Sequence, residues 1–455
     1  MAQTLSPSTV EPAIHRTVDL LERLFPAPRR FGIRLWDGTE LPADGRPSFH
    51  LVFNHAGALR RMFKPPVELS LGRAFILNDF DIEGDIYSVF PLMESIATRS
   101  FSTGEIVSIG LGLSALPASG AALSGSKGHA RPQGRGPAQL RGAVHSRERD
   151  RVAVQYHYDV GNDFYSLWLD RNLHYSCGYF PSGAENLDTA QERKMEHICR
   201  KLRLQRGERL LDIGCGWGGL ARYAAKNYGV EVLGVTLSKN QKAYADEQIA
   251  RVGPFGTLRA TLGGRVAVEL KDYRDLSDES FDKIVSVGMF EHVGRAHLPE
   301  YFAHAYRLLK PGGLFLNHGI SRRAGTEADR QGFIRKRIFG RGTFLQKYIF
   351  PDGELTPVSD VNVMAENAGF EVRDVENLRE HYALTLRQWV NRLAARRDEA
   401  VKIAGEVTYR TWRLYMSASV YGFESGNINV NQTLLAKMTR EGGSNVPFSR
   451  VDLYG

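Results

Sequence analysis

Cysteine is scarce in this chain, and no long apolar run opens it. Only three cysteines occur among the 455 residues, Cys177, Cys199 and Cys215, and none of them forms a C-x-x-C pair. This scarcity argues against a disulfide framework and gives no indication of a zinc site. Residues 1–16 lack the basic start and the apolar core of a secretory signal. We therefore expect a cytoplasmic location.

Acidic residues are absent from residues 106–147, where glycine, alanine, serine and proline are abundant. The basic residues of this stretch are Lys127, Arg131, Arg135, Arg141 and Arg147. Such a composition predicts a basic linker, which we place at residues 102–150. Residues 106–126 are uncharged and long enough to span a membrane, but small residues and Pro117 favour a flexible or surface-associated segment. Near an anionic membrane each basic residue would contribute roughly 1 kcal/mol to adhesion. A linker that only connects the two domains fits the composition equally well.

Overall composition and charge narrow the class of protein. With 455 residues and 42% hydrophobic content, the chain is long enough for two or three folded, soluble domains. A formal charge of +8 and a pI near 9.3 predict attraction to nucleic acid or to an anionic lipid surface. The charge alone does not separate these two partners.

A glycine-rich turn follows an apolar strand in LLDIGCGWGG, residues 210–219. Gly214, Gly216 and Gly218 predict that backbone N–H groups approach a ligand closely, with a helix N-terminus facing it. The string G-x-G-x-G-G differs from the G-x-G-x-x-G of dinucleotide sites and predicts S-adenosyl-L-methionine (SAM) rather than NAD. We expect the preceding Asp212 to hold the methionine ammonium or to order the turn. Taken alone, the same pattern also fits an ordinary strand-to-helix turn.

Two further predicted strands also end in polar residues. Residues 231–238, EVLGVTLS, lead into neutral donors and acceptors for a ribose and an adenine, and residues 281–294, FDKIVSVGMFEHVG, end in Glu291 and His292. The neutral residues are Thr236, Ser238, Asn240 and Gln241. Since parallel strands end at one edge of a sheet, these residues predict one crevice in an α/β fold. We expect a doubly wound, mainly parallel sheet.

Six motifs in the same order carry a family resemblance. They are YHYDVGNDFYSLWLDRNLHYSCGYF (156–180), LLDIGCGWGG (210–219), GVTLSKNQ (234–241), VSVGMFEHVG (285–294), NHGIS (317–321) and HYALTLRQW (381–389). The span from about residue 150 to 435 resembles the cyclopropane-fatty-acyl-phospholipid synthases and the related mycolic acid cyclopropane synthases. The resemblance implies a class I SAM-dependent methyltransferase-like domain at residues 151–440. A smaller α+β domain at residues 1–101 precedes it, and a tail follows at residues 441–455.

The resemblance also implies how the cofactor is bound. Tyr175 and Ser176 would contact its methionine end, whereas Gln241, Asp272 and Tyr273 would frame its adenosine end. Related enzymes often have a tryptophan at this last turn, so Tyr273 would supply the stacking face here. The complete implied set is Tyr175, Ser176, Asp212, Gly214, Gly216, Gly218, Thr236, Gln241, Asp272 and Tyr273.

Cyclopropane formation needs a shielded base. Methyl transfer to a cis double bond creates a carbocation, and a proton must leave the added methyl before water quenches that cation. In the family a bound bicarbonate is thought to accept this proton. The matching positions here, which form the implied catalytic set, are Cys177, Glu291, His318, Ile320 and Tyr382.

The implied partner is a phospholipid membrane surface with unsaturated acyl chains. By resemblance, residues 1–101 help to bring the enzyme to its lipid, although a scaffold that only packs on the catalytic domain fits as well. The resemblance further implies peripheral association with the inner face of the membrane and a homodimer formed through the N-terminal domain. Nucleic acid is not an expected partner.

The sequence is also compatible with other functions. The same first step followed by loss of a different proton would give a methylene- or methyl-branched chain. A basic RNA methyltransferase would need a polar target-base motif such as N-P-P-Y where FEHVG stands. A non-catalytic lipid-binding protein with a vestigial cofactor site is the third alternative.

Residues 407–423, VTYRTWRLYMSASVYGF, predict a helix near the C-terminus. An apolar stripe at helical spacing would wall an acyl channel or pack as core, and it comprises Tyr409, Trp412, Met416, Ser419 and Phe423. Many family members have a cysteine, once proposed as catalytic, where this chain has Ser419. Since we take bicarbonate to be the base, we expect the serine to be tolerated.

Overall fold

The structure is a computed structural model that describes most of the chain. The described residues are 7–99, 101–118, 134–251, 263–277, 280–325, 342–444 and 446–454. Their contacts divide the chain into two compact units. The first unit is Met1–Pro137, Glu327–Ile349 and Arg397–Tyr421, and the second is Ala138–Thr326, Phe350–Arg396 and Gly422–Gly455.

Helices and strands are numbered in chain order within the described residues. The helices are α1 Pro7–Leu24, α2 Ala58–Met62, α3 Val67–Ile76, α4 Val89–Thr98, α5 Thr103–Ser114, α6 Arg147–Tyr158, α7 Asn162–Ser166, α8 Leu187–Lys201, α9 Gly219–Tyr228, α10 Lys239–Ala250, α11 Leu298–Leu308, α12 Thr343–Tyr348, α13 Val358–Asn367, α14 Arg379–Ala395, α15 Arg397–Ala404, α16 Glu406–Glu424 and α17 Val451–Tyr454. The strands are β1 Gly32–Arg34, β2 Glu40–Leu41, β3 Phe49–Phe53, β4 Phe80–Gly84, β5 Arg209–Ile213, β6 Glu231–Thr236, β7 Arg265–Leu270, β8 Phe281–Val287, β9 Leu309–Arg322, β10 Glu371–Asn377 and β11 Ile428–Ala436.

The first unit is built on a four-stranded sheet in the order β2-β1-β3-β4. In β3, FHLVF, buried and half-buried residues alternate because successive side chains point to opposite faces of a sheet. Helices cover the sheet, and one core that includes Leu21, Phe53 and Phe75 lies between them. This arrangement confirms the smaller N-terminal α+β domain.

The second unit is built on a seven-stranded sheet in the order β10-β11-β9-β8-β5-β6-β7. Among the described strands of this sheet, only β11 runs against its neighbours; the pairs that join β9, β8, β5, β6 and β7 are all parallel. Apolar residues fill both faces, because Leu210 belongs to one core and its neighbour Leu211 to another. The predicted doubly wound, mainly parallel sheet is confirmed.

Strand order fixes where a ligand binds in this sheet. From β5 the chain proceeds through β6 to β7 on one side, and it then returns to place β8 on the other side of β5. In open α/β sheets the crevice at such a switch point, outside the carboxyl ends of the strands, is the binding site. Residues that follow β5, β6 and β8 therefore meet there.

Two regions differ from the boundaries drawn from the sequence. Residues 103–114, placed within a linker, form α5, whose start is fixed by a capping box between Ser102 and Glu105. Residues 397–421, placed in the catalytic domain, group by contact with the first unit. Arg410 explains this grouping, because its buried guanidinium donates hydrogen bonds to the carbonyl oxygens of Phe75 and Phe80.

The remaining parts of the predicted linker and tail are described only in part. Lys127 and Arg131 lie outside the described residues. In the predicted tail, α17 is a short helix whose Leu453 is buried. None of the helices in the described part of the chain is both long and apolar enough to cross a membrane.

Candidate active site

A cavity opens at the carboxyl ends of β5, β6 and β8 in the second unit. Nine of the ten residues predicted to bind the cofactor line it; they are Tyr175, Ser176, Asp212, Gly214, Gly216, Thr236, Gln241, Asp272 and Tyr273. The tenth residue, Gly218, does not line the cavity; it directly precedes α9. The cavity therefore brings together predicted cofactor residues that are as many as 98 positions apart in the sequence, from Tyr175 to Tyr273.

The glycine-rich turn joins β5 to α9 in the predicted way. Gly214, Gly216 and Gly218 all have positive φ, at 78°, 55° and 74°. At Gly214 a side chain is also excluded by space, because a Cβ atom there would lie 2.8 Å from the Met289 side chain. The turn thus leaves its backbone open toward the cavity, next to the first residues of α9.

Asp212 places a buried carboxyl at the floor of this cavity. Its side chain is 3% exposed, and burial raises the pKa of Asp212 to about 7, although the nearby Lys194 ammonium lowers it. A buried carboxylate is unfavourable even with the Lys194 ammonium nearby, and the ammonium of an amino acid ligand would compensate it further. Asp212 therefore fits the methionine end of SAM.

Lys194 lies at the same end of the cavity and was not among the predicted site residues. Its Nζ donates a hydrogen bond of 2.9 Å to Ser176 Oγ, and the residue is only 2% exposed. Burial lowers the pKa of Lys194 to about 8. On the same helix, Gln191 Nε2 donates to the carbonyl oxygen of Ser176 at 2.8 Å. Helix α8 thus fixes both the side chain and the backbone of Ser176.

His174 is a second residue that was not predicted. Its Nδ1 lies 2.9 Å from Asp170 Oδ2, and its buried Nε2 has no hydrogen-bond partner among the described residues. The ring packs on the start of α9, since a Cβ atom at Gly219 would lie 2.4 Å from Nε2. The ring therefore lies where the cavity meets the helix N-terminus.

The other end of the cavity carries the predicted adenosine contacts. Thr236 Oγ1 donates to Gln241 Oε1 at 2.7 Å, so the two neutral residues are already held together. Asp272 forms an ion pair of 2.7 Å with Arg274, which also reaches Asp150 at 3.2 Å. The Tyr273 ring packs edge-on against Tyr301. An aromatic face and neutral hydrogen-bonding groups are the surroundings that an adenosine requires.

The predicted catalytic residues form a second group, of which none lines the cavity. The backbone N–H of Ile320 donates a hydrogen bond of 2.7 Å to Glu291 Oε1. His318 lies two residues before Ile320 on β9, and its Nδ1 is 3.1 Å from Gln432 Nε2. Glu291 and His318 are both buried. These contacts bring together residues that follow β8 and residues within β9.

Cys177 and Tyr382 meet the same backbone carbonyl. The Cys177 Sγ lies 3.8 Å from the carbonyl oxygen of Leu378, which also accepts the N–H of Tyr382 at 3.0 Å. The N–H of Leu378 in turn donates to the carbonyl of Val430, the residue that is paired with Ile320 between β11 and β9. A series of backbone and side-chain contacts thus links the segments that carry the five predicted catalytic positions.

Burial sets the charge of this second group. It raises the pKa of Glu291 to about 7 and lowers the pKa of His318 to about 3. It also raises the pKa of the Cys177 thiol well above its usual range. We therefore expect a neutral histidine, a neutral thiol and a carboxyl that titrates near neutrality.

Two atoms in this group are available to a ligand. Glu291 Oε2 and His318 Nε2 are buried and have no hydrogen-bond partner among the described residues. Buried polar atoms are generally hydrogen-bonded, so unpartnered ones indicate a missing partner. Bicarbonate, a small planar acid anion, both donates and accepts hydrogen bonds, which is the chemistry that a carboxylate oxygen and an imidazole N–H require of a partner.

The two groups share their chain segments. Ser176 lines the cavity and the next residue, Cys177, belongs to the second group; Met289 and His292 line the cavity and flank Glu291. A transferable methyl held in the cavity would therefore be presented beside the second group. This arrangement, on a doubly wound sheet with a glycine-rich turn, defines the class of SAM-dependent methyltransferases.

Comparison with known proteins identifies the family. The mycolic acid cyclopropane synthetase family matches residues 145–433, and the chain belongs to this family. It is 38% identical over 425 residues to a probable fatty acid methyltransferase of Pseudomonas putida, covering 93% of this chain and 95% of that protein. It is 38% identical over 299 residues to the cyclopropane-fatty-acyl-phospholipid synthase of Escherichia coli K12, covering 66% and 71% of the two chains.

A solved structure gives the same result. The mycolic acid cyclopropane synthase CmaA1, complexed with SAH and CTAB, is 35% identical to this chain with a TM-score of 0.57. The match covers 63% of this chain and 97% of CmaA1. The family resemblance and the class I methyltransferase fold that the sequence predicts are confirmed, whereas the roles of individual site residues stay predictions.

Proposed function

We propose that this protein transfers a methylene group from SAM to the cis double bond of unsaturated phospholipid acyl chains and so forms a cyclopropane ring. The observation that carries this proposal is the buried Glu291, whose one oxygen accepts the Ile320 N–H while the other has no partner among the described residues. A simple methyl transfer to an oxygen or nitrogen needs no shielded acceptor of this kind. Ring closure does, because the proton must leave from carbon.

The residues of the cavity would hold the methyl donor. SAM supplies an electrophilic methyl on sulfur when it is bound. Asp212 would hold the ammonium, while Ser176, fixed by Lys194 and Gln191, would position the methionine end. Thr236, Gln241 and Tyr273 would position the adenosine. Holding the donor by both ends is what aligns the transferred carbon with a poor nucleophile such as an alkene.

The residues of the second group would hold the proton acceptor. Bicarbonate, when it is bound, supplies a small base in a site closed to bulk water. Glu291 Oε2 would accept its hydroxyl hydrogen, and a neutral His318 would donate from Nε2. The bond changes balance: the methyl carbon leaves sulfur and bonds to one alkene carbon, its proton leaves, and the C–H electron pair bonds to the other alkene carbon.

A methyl- or methylene-branched product is the second candidate. It is favoured by the similarity to the Pseudomonas putida protein, which extends over 93% of this chain and is named a probable fatty acid methyltransferase. The first step and the cavity would be the same. The two outcomes differ in which proton is lost from the cation and in whether a reductant follows.

The partner and location follow from this substrate. Intact phospholipid acyl chains are reached only at a membrane surface, so we propose peripheral association with the inner face of the membrane. A net charge of +8 favours an anionic surface. The homodimer implied by the family stays a prediction that light scattering on the purified protein would test.

Purified protein tests this function directly. It would be incubated with SAM that carries a trideuterated methyl group and with vesicles of a monounsaturated phospholipid. A cyclopropane chain that retains two of the three deuterons is expected, identified by gas chromatography and mass spectrometry beside authentic ring and methylene standards. A branched chain would replace the first candidate by the second, and an unaltered lipid would contradict both.

A further inference from the structure

A groove in the first unit is lined by an unusual number of arginines. Its volume is about 890 Å³, within the range of ligand sites. Its lining includes Arg29, Arg30, Arg46 and Arg99, whereas Asp44 is the only carboxylate among the described lining residues. The walls also include buried aromatic residues, Phe25, Phe31 and Phe49. The lining of the groove therefore combines cationic and apolar side chains.

Arg29 is buried and is held by two hydrogen bonds. Its backbone N–H donates to Asp44 Oδ2 at 2.6 Å, and its Nη1 donates to the carbonyl of Phe25 at 3.1 Å. The residue is 9% exposed, yet its buried Nε has no hydrogen-bond partner among the described residues. A buried guanidinium N–H without an acceptor is unfavourable, and an anion in the groove would supply the acceptor.

The other arginines carry charge that the protein does not neutralise closely. Arg30 and Arg46 are exposed, and neither makes an ion pair within the part of the chain that the structure describes. Arg99 makes a long ion pair with Glu105, in which Nη2 lies 3.9 Å from Oε1. Three guanidinium groups thus border the same groove as the unsatisfied Nε of Arg29.

We propose that this groove binds the phosphate of an anionic phospholipid headgroup. The planar fork of arginine matches phosphate oxygens, and several arginines around one site are typical of phosphate recognition. The apolar wall fits the glycerol and first methylenes of a lipid, for which a free phosphate has no counterpart. The same unit also exposes apolar side chains of α5, with Ile106, Val107 and Leu111 being 49%, 55% and 68% exposed, which suits a lipid surface.

The choice of a phospholipid rests on the proposed function, whereas the anion site rests on the groove alone. Binding would place the enzyme on the membrane that holds its substrate. It would also favour bilayers that contain anionic headgroups over neutral ones. The cofactor cavity takes no part in this contact.

The test is vesicle sedimentation with the full-length protein. Vesicles of phosphatidylcholine containing one quarter phosphatidylglycerol would be compared with pure phosphatidylcholine. The double variant R30Q/R46Q should bind the anionic vesicles about 30-fold more weakly than the wild type, at roughly fivefold for each arginine near the surface. Both residues are exposed and without ion pairs among the described residues, so the fold should be retained. Thermal unfolding would check this.

A matched double variant removes the same charge elsewhere. Arg193 and Arg206 are exposed residues of the second unit without ion pairs among the described residues, and R193Q/R206Q should bind within about threefold of the wild type. Equal losses in both double variants would mean that only net charge matters, and no loss in R30Q/R46Q would remove the groove from lipid binding. Either result would overturn the proposal.

Two further measurements distinguish a lipid phosphate from free phosphate and distinguish lipid binding at the groove from turnover in the active site. Calorimetric titration with inorganic phosphate tests whether the groove binds free phosphate. If phosphate binds at the groove and R30Q/R46Q binds vesicles as strongly as the wild type, the groove does not bind a lipid headgroup. Turnover of detergent-dispersed lipid should be unchanged in R30Q/R46Q. Absence of turnover in the wild type would contradict the proposed function and leave the groove result intact.

Discussion

Ile320 and Glu291 are joined by a hydrogen bond of 2.7 Å from the backbone N–H of the first to Oε1 of the second. The bond connects β9 to the turn after β8 and fixes the direction of a buried carboxyl. Because one oxygen is occupied, only Oε2 is available to a ligand. Glu291 is thereby held as a one-sided acceptor beside the cofactor cavity.

Glu291→Gln tests this acceptor role. The amide oxygen would keep the contact with Ile320, while an N–H donor would replace the free oxygen and repel the hydroxyl hydrogen of bicarbonate. We expect turnover to fall by at least about 100-fold, as for other groups that act on proton transfer, with SAM binding within about twofold. Single-turnover kinetics and SAM calorimetry would measure the two effects. Wild-type turnover in this variant would remove Glu291 from the mechanism.

Removal of bicarbonate tests the anion itself. The wild-type protein should lose most of its turnover in buffer that has been degassed and depleted of carbon dioxide, and added bicarbonate should restore it, because the proton acceptor is exchangeable. The variant Glu291→Gln provides the control, since we expect no restoration there. Full activity without bicarbonate would show that a protein group accepts the proton.

Asp212 predicts a pH dependence of stability. Its pKa is raised from 3.8 to about 7 by burial, so the folded state holds a proton that the unfolded state has lost. The stability this contributes is complete below about pH 4 and is lost as the pH rises through about 7. We would compare the unfolding free energy of Asp212→Asn with that of the wild type, both without SAM. The difference in favour of the variant should grow by up to about 4 kcal/mol between about pH 4 and about pH 7. Urea unfolding at several pH values would measure it, and a constant difference would contradict the assignment.

The same residue predicts the opposite trend for the ligand. Only the ionised carboxylate holds an ammonium, so SAM affinity of the wild type should rise toward a plateau above about pH 7. The variant Lys194→Met should shift this rise to higher pH, because Lys194 lowers the pKa of Asp212. Calorimetry across this pH range would show the shift. Unchanged profiles in Lys194→Met would exclude a charge effect of Lys194 on Asp212.

Gly319 gives a prediction from space alone. It lies between His318 and Ile320, and a Cβ atom there would lie 1.9 Å from the Phe290 ring, which directly precedes Glu291. Gly319→Ala should therefore displace the Glu291 turn, lowering stability by about 1–3 kcal/mol, as is typical of overpacked cores, and reducing turnover. Gly104→Ala is the control, since nothing lies within 4 Å of its added carbon. Equal behaviour of the two variants would contradict the close packing of Phe290 on Gly319.

The cofactor cavity was largely predictable because its residues lie at local, recognisable positions. Asp212 and the glycines that follow β5, and Thr236 at the end of β6, mark strand ends that any parallel sheet brings to one edge. Lys194 and His174 were missed for a physical reason. A lysine on the buried face of a helix is unusual, and the sequence does not show that its Nζ reaches Ser176.

Long-range pairing explains what else the sequence did not show. Tyr382 meets Leu378 within one helical turn, whereas Cys177 reaches the same carbonyl from 201 residues earlier in the chain. Val430 of β11, paired with Ile320 of β9, accepts the N–H of Leu378. Arg410 joins the first unit through carbonyls more than 300 residues earlier in the chain. Ser419 Oγ donates to the Tyr415 carbonyl within α16, and tolerance of this serine stays a prediction. Periodicity along one segment carries no information about such partners.

Expression in a bacterium that lacks cyclopropane lipids tests the central claim most directly. Fatty acids from these cells would be analysed by gas chromatography and mass spectrometry, with the Glu291→Gln variant as the control. We predict cyclopropane chains with the wild type and none with the variant. Methyl- or methylene-branched chains in place of rings would contradict the assigned proton removal, and an unchanged fatty-acid profile would contradict action on phospholipid acyl chains.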